Sequence, residues 1–213
     1  MGRGNFIVLD GPEGTGKTSI KRKFQELFPN IVAVREPGGT PLSEVIRSEL
    51  FGIAGGLTPI REFMYFFAAR ANLLQHVIEP ALLSGRNVIT DRFDSSTYAY
   101  QVVGPEMMEL DPIFWEIRNE LIVKPKLQPD LYLIIDVPVQ IGLARRHAEG
   151  GKTLNHIDQR TVAFHSRVQR GFREFAVFVP NVVFVDGTRS LEEVTEECLS
   201  HCAPLLKSEV HQV

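Results

Sequence analysis

A chain of 213 residues, 44% hydrophobic and 23% charged, has the length of a single domain and an ordinary globular composition. Those values exclude a disordered chain and a coiled coil, and no apolar run approaches the roughly 18 residues of a membrane span. A net charge of −3 disfavours a general nucleic-acid binder. The opening MGRGNFIVLDG runs straight into strand-like sequence without an apolar leader, and Phe6 breaks the myristoylation pattern that Gly2 begins. A cytoplasmic protein is expected. Cys198 and Cys202 then read as reduced thiols, because a bridge within one helical turn is geometrically poor.

In chain order, residues 6–9 form a short apolar run before a Gly-rich turn and read as a buried strand. Residues 18–28 read as a helix with Ile20, Phe24, Leu27 and Phe28 on one stripe. Residues 31–34 read as a second strand and 41–50 as a helix. Residues 60–83 are the longest helical stretch, which Pro80 should bend or end. Strands follow at 88–90, 131–137 and 182–185. A basic stretch, 145–173, separates the last two, and a helix over 191–206 closes the chain. Strands alternating with helices predict an α/β domain with a five-stranded parallel sheet flanked by helices. Its site should lie beyond the C-terminal strand ends.

The turn after the first strand, Gly11-Pro12-Glu13-Gly14-Thr15-Gly16-Lys17-Thr18, fits G-x-x-x-x-G-K-[ST] in full. Glycines let the backbone N–H groups curl around phosphate oxygens, and the following helix offers its N-terminus to negative charge. Lys17 should reach the outer phosphates and Thr18 should give an oxygen to magnesium. A nucleoside triphosphate, ATP, with Mg2+ is therefore expected. The guanine-reading N-K-x-D of a switch GTPase does not occur in the sequence. Arg35, Glu36 and Pro37 follow the second strand, and Asp91 and Arg92 the third, so both groups should reach the same crevice. Asp91 could position the metal or its water, and the planar fork of an arginine suits phosphate. Phe66 and Arg70 share a helix face, a ring beside a planar donor, which suits a nucleobase. Thr97, Tyr100 and Gln101 share another face if the segment after Asp91 is α-helical. The arginines and Lys152 of the basic stretch read as a flap over the triphosphate.

In order and spacing, GPEGTGKT, REPGGTP, FFAAR and DRFDSSTYAYQ resemble the thymidylate kinase family. The resemblance is tight over residues 6–101, weak over 102–127, and returns at 129–138 and 157–159. It implies a single P-loop NTPase domain over 1–213 with a short lid at about 145–160. It further implies transfer of the ATP γ-phosphoryl group to dTMP on a homodimer, with no nucleic-acid or membrane partner. On that pattern Phe66 stacks on thymine, Arg70 bonds its O4, Thr97 and Gln101 read the base, and Tyr100 disfavours ribose. Arg92 and Arg47 hold the acceptor phosphate, with Arg35, Glu36 and Pro37 shaping that edge. Glu13 lies near the sugar and metal, giving Thr18, Asp91 and Glu13 as metal-side residues. Lys17, Arg92, Glu13 and Arg146 form the catalytic set.

Two departures stand out. Where some relatives carry an arginine inside the phosphate loop, this chain has Gly14. Where the lid usually reads Asp-Arg-Ile-Glu-Gln, it reads Asn155-His156-Ile157-Asp158-Gln159. The missing charge is expected from Arg146, Lys152 or Arg160. Two further readings keep the same fold: a kinase for a 5-substituted pyrimidine deoxynucleotide such as 5-hydroxymethyl-dUMP, and a catalytically weak nucleotide-binding regulator.

Overall fold

The computed structural model describes residues 2–53, 56–148 and 155–206. Five strands, β1 (Phe6–Asp10), β2 (Val32–Arg35), β3 (Val88–Asp91), β4 (Leu131–Asp136) and β5 (Val182–Asp186), pair in the order β2-β3-β1-β4-β5, every neighbour parallel. Around them run α1 (Lys17–Leu27), α2 (Pro41–Gly52), α3 (Pro59–Leu73), α4 (Glu79–Leu83), α5 (Asp94–Thr97), α6 (Asp111–Arg118), α7 (Val139–Ala148), α8 (Val162–Phe178) and α9 (Leu191–Leu206).

The sheet is covered on both faces, so β1 is buried along its whole length and runs apolar from Phe6 to Leu9 before ending in Asp10, rather than alternating with polar residues. Its alternate side chains still part company, as strand geometry requires. Phe6 and Val8 join a core built with α3, α6, α8 and residues 98–103 after α5. Ile7 and Leu9 join a second core with Ile20 and Phe24 of α1 and Val194, Cys198, Cys202 and Leu206 of α9. Both cysteines are free and buried, and burial pushes the Cys198 thiol up to about 12. They pack as small apolar side chains.

Register decides where the motifs meet. Leu9 of β1 and Arg35 of β2 both pair with Asp91 of β3, so three strand ends and the loops that follow them finish side by side. The order also puts β1, with its glycine-rich loop, at the centre of the sheet.

Two expectations need correction. The 60–83 helix does not end at Pro80 but runs on to Leu83, and a π-helical turn, Leu74–Ile78, carries α3 into α4. Proline lacks an N–H and its ring crowds the carbonyl four residues back, so the turn just before it widens. The segment after Asp91 is α-helical only over Asp94–Thr97 and then winds as a second π-helix, Tyr98–Val103. Within the stretch of weak resemblance, α6 supplies Phe114 and Arg118 to the interior. Arg118 Nε donates to buried Asp94 Oδ2 at 2.7 Å, and Tyr132 Oη to Asp94 Oδ1 at 2.9 Å, which ties α5 to β4.

Candidate active site

The loop between β1 and α1 is shaped by backbone that only glycine adopts freely: φ is +134° at Gly11, +69° at Gly14 and +82° at Gly16. Space forbids a side chain as well, since a Cβ on Gly14 would lie 2.0 Å from the Gly142 carbonyl oxygen. Gly16 caps α1 without a side-chain hydrogen bond, which leaves the first N–H groups of that helix for a ligand. Lys17 is buried and folded back on the loop. Its Nζ donates to the carbonyls of Gly11 (3.0 Å) and Pro12 (2.6 Å) and to Thr15 Oγ1 (2.9 Å). Burial, and then the Arg92 charge, lower its pKa to about 8.

At the end of β3, Asp91 Oδ2 accepts from Thr18 Oγ1 at 2.9 Å. A hydroxyl and a carboxylate beside a phosphate cradle fit Mg2+, which keeps most of its waters and needs few protein ligands. No cluster of three or more metal-ligating side chains occurs among the described residues. Glu13 is turned elsewhere: its Oε1 accepts from Arg92 Nη2 at 2.5 Å and from Tyr100 Oη at 3.2 Å. Burial opposes its charge, yet Arg92 and Lys17 outweigh burial and hold the carboxyl below its usual range.

Arg92 sits at φ +72°, a left-handed conformation uncommon for a residue with a side chain. Its guanidinium donates to the Gly11 carbonyl (3.2 Å) and Ser96 Oγ (3.0 Å) and lies 5.1 Å from the Tyr100 ring centroid. Beneath it, buried Asp10 accepts from the N–H groups of Gly11, Phe93 and Ser96 and from both serine hydroxyls, Ser95 and Ser96 at 2.6 Å each. Asp10 thus joins the loop after β1 to the loop after β3. Asp10→Asn would turn two donors against the donors already there. The expected result is a loss of about 1–3 kcal/mol of stability, read as a lower Tm, with a lower kcat.

The other end of the cleft is built on Arg70. Its Nε and Nη2 donate to Glu36 Oε2 at 2.9 and 2.7 Å, and Nη2 also reaches Thr97 Oγ1 at 2.9 Å. Arg70 Nη1 and Glu36 Oε1 are buried and have no partner. A buried unpaired donor beside a buried unpaired acceptor is costly unless a ligand supplies the missing groups. Burial pushes the Glu36 carboxyl up to about 7 although Arg70 pulls it down.

Phe66, Glu36, Tyr100 and Gln101 line the cleft itself; Arg70 and Thr97 do not, Arg70 being bonded to Glu36 and Thr97 to Arg70. Of the face expected for Thr97, Tyr100 and Gln101, the last two share the cleft but take different partners, and Thr97 does not line it. Thr97 meets Arg70, Tyr100 meets Glu13, and Gln101 meets Glu62. Arg47 lines the cleft and donates to the Pro37 carbonyl at 3.0 Å. Arg35 lines it too, held by Glu44 at 2.8 Å.

The basic stretch is not one flap. Arg167 donates to the Gly104 carbonyl at 2.7 Å, Arg170 pairs with Glu174, and Arg173 with Asp136. Arg145 reaches the Gly187 carbonyl, and Arg160 stacks on Phe164. Helical phase sends these cations to other partners. Lys152 lies outside the described residues. Arg146 does line the cleft, with Asn155 and Ile157, and is gripped by both oxygens of Asp158 at 3.1 and 2.9 Å. His156 points away from the phosphate loop, to Glu62.

The whole cleft has a volume of about 630 Å³, and seven lysine or arginine side chains against three carboxylates line it. A concentrated positive field in a chain of net charge −3 suits polyphosphate. Sequence reasoning overlooked Lys21, Arg22 and Gln25 of α1, which also line it. Lys21 falls one helical turn after Lys17, a signal that was available.

Comparison with known proteins agrees with this geometry. The thymidylate kinase family profile matches residues 9–198. A protein named thymidylate kinase from Acinetobacter baylyi is 36% identical over 208 residues, covering 94% of this chain and all of that protein. A crystal structure of thymidylate kinase from Ehrlichia chaffeensis superposes with a TM-score of 0.71 at 27% identity, over 93% of this chain and 97% of that one. With its phosphate loop, its Arg70–Glu36 pair and this likeness along nearly its full length, the chain belongs to the thymidylate kinase family.

Proposed function

We propose that this cleft transfers the γ-phosphoryl group of ATP to the phosphate of dTMP, giving dTDP. The observation that carries the reading is one continuous cleft lined at one end by a phosphate cradle and at the other by the Phe66 ring and by Glu36, whose buried Oε1 has no partner and whose other oxygen is held by Arg70. The cations Arg47 and Arg92 lie between the two ends.

Attack by an acceptor phosphate oxygen on a γ-phosphoryl group brings two anions together. Positioning and neutralisation therefore do most of the work. Lys17 leaves its loop carbonyls for the outer phosphates. Arg92, fixed by Glu13, spans the phosphate loop and the acceptor. Arg146 brings charge from the lid side, in the role that His156 does not fill. Thr18 and Asp91 would hold Mg2+, which supplies further neutralisation of phosphate charge. The acceptor is already anionic near neutral pH, so no side chain needs to abstract a proton. Phe66 stacks on the base, Arg70 Nη1 donates to its O4, and Tyr100 guards the sugar edge.

The same reading makes the enzyme a cytoplasmic homodimer without nucleic-acid or membrane partners. No helix among the described residues is long and apolar enough to cross a membrane. Met64 and Ile60 on α3 are 54% and 38% exposed and line one shallow, largely apolar hollow with Tyr65 and Ala68. Met64→Glu is expected to convert the dimer to a monomer in sedimentation velocity; an unchanged dimer would move the interface elsewhere.

The test of function is ATP consumption with magnesium across dTMP, dUMP, 5-hydroxymethyl-dUMP, dCMP and UMP. A dominant kcat/KM for dTMP is expected. Preference for the hydroxymethyl analogue, or turnover of none, would overturn the assignment.

A further inference from the structure

Glu62 belongs to α3, outside every motif of the phosphate and base sites, yet it is buried and divided between two partners. Its Oε1 lies 2.6 Å from His156 Nε2, and its Oε2 accepts from Gln101 Nε2 at 3.2 Å. His156 is itself well seated. A Cβ on Gly56 would come within 2.5 Å of its ring, and the Phe51 ring centroid is 6.2 Å away. A carboxylate offers only acceptors. It therefore takes the proton of His156 on Nε2 and, on its other oxygen, the amide nitrogen of Gln101.

That second contact settles which way the Gln101 amide faces. A glutamine side chain is nearly symmetric in shape, and only its hydrogen-bond partners choose between its two orientations. With the nitrogen committed to Glu62, the carbonyl oxygen is the atom left for the cleft that Gln101 lines. An acceptor there matches a pyrimidine whose ring N3 carries hydrogen, as in thymine and uracil. It opposes cytosine, whose N3 is itself an acceptor.

We propose that Glu62, steadied by His156, is a positioning residue that sets the Gln101 amide and so selects pyrimidines with a ring N–H donor. The proposal rests on the assignment of the cleft to dTMP. It differs from a general structural role in what it leaves alone. Glu62 acts on the N3 position and not on the 5-methyl group, so it should govern thymine against cytosine and not thymine against uracil.

The experiment measures Kd by calorimetry and steady-state kinetics for dTMP, dUMP and dCMP on the full chain. It compares the parent protein with Glu62→Gln and Glu62→Met. Glutamine can accept from Gln101 or donate to it, so it releases the choice of orientation at nearly constant shape. Methionine removes both contacts. The dTMP-to-dCMP preference is expected to fall about tenfold in both variants, the size of one hydrogen bond of ordinary net strength. The dTMP-to-dUMP ratio should stay within about twofold, and the loss should appear in KM more than in kcat. An unchanged dTMP-to-dCMP ratio in Glu62→Gln would overturn the proposal. So would a parallel fall in the dTMP-to-dUMP ratio, which would mean general loosening of the pocket. If Glu62→Met fails to fold, the nearly isosteric Glu62→Gln decides alone. Binding of dTMP without turnover would sink the kinase reading, while the Kd ratios would still judge Glu62.

Discussion

Replacing Lys17 by Met is expected to lower kcat by about three orders of magnitude while leaving the free protein at least as stable as the parent. The first half follows from charge. Lys17 starts the helix that faces the triphosphate and is the cation buried deepest in the phosphate loop. Phosphate oxygens would compensate its buried charge far better than the loop carbonyls it now holds. The second half follows from its pKa, lowered from 10.5 to about 8, mainly by burial. A lysine with a depressed folded pKa favours unfolding whenever it is protonated in the folded state. Between about 8 and 10.5 the unfolded chain binds more protons than the folded one, so this group makes stability rise with pH across that window. Thermal unfolding from pH 7 to 10 should show that rise in the parent and its absence in Lys17→Met. Unchanged turnover in the variant would remove Lys17 from catalysis, and a sharply lower Tm would remove the argument from buried charge.

Arg70→Ala is expected to raise the KM for dTMP about 10- to 100-fold and to lower Tm by roughly 10 °C. Arg70 is 1% exposed, and its Nε and Nη2 grip a carboxylate that is nearly as deeply buried. Removing one partner of such a pair costs about 3–5 kcal/mol, because the other stays buried and unpaired. The penalty should depend on pH in a stated direction. Burial already pushes Glu36 up to about 7 with Arg70 opposing, and without Arg70 the carboxyl rises further. Below about 7 Glu36 is already mostly protonated in the folded parent, as it is in the variant, so the loss of Arg70 leaves less uncompensated charge there and the penalty shrinks. The Tm difference between variant and parent should therefore be larger at pH 8 than at pH 5. Arg70→Lys separates the two effects: it keeps a positive charge beside Glu36 but not the planar fork, so stability should recover more than KM. Equal KM values for parent and both variants would exclude Arg70 from recognition of the base.

The strand ends and their loops were legible because local rules govern them. Gly11, Gly14 and Gly16 adopt positive φ, and a buried strand and a helix flank them in sequence just as they do in space. The parallel direction of the strands follows from their alternation with helices, which brings the C-terminal ends of β1, β2 and β3 to one edge of the sheet. What was misread depended on phase. An arginine on a helix points where the helix turns it, and one extra residue in a turn changes the partner. The segment after Asp91 is such a case: Tyr100 and Gln101 reach the cleft, while Thr97, expected on the same face, is buried against Arg70. Asp10 read as the last residue of a strand. Its five donors come from its neighbour Gly11 and from residues more than 80 positions away.

By itself, the sequence determined the chemistry of the phosphate end: a glycine-shaped loop, a lysine and a threonine at a helix start, and acid and arginine at neighbouring strand ends. Each of these acts through backbone geometry within a few residues. Tertiary structure alone decided which cations reach the cleft, how Arg70 and Glu36 leave two buried groups unpaired, and that Glu62 joins His156 to Gln101. The energy of a charged or polar side chain depends on the groups brought to it from distant segments. Glu62 and His156 are 94 residues apart and become partners only when the chain has packed.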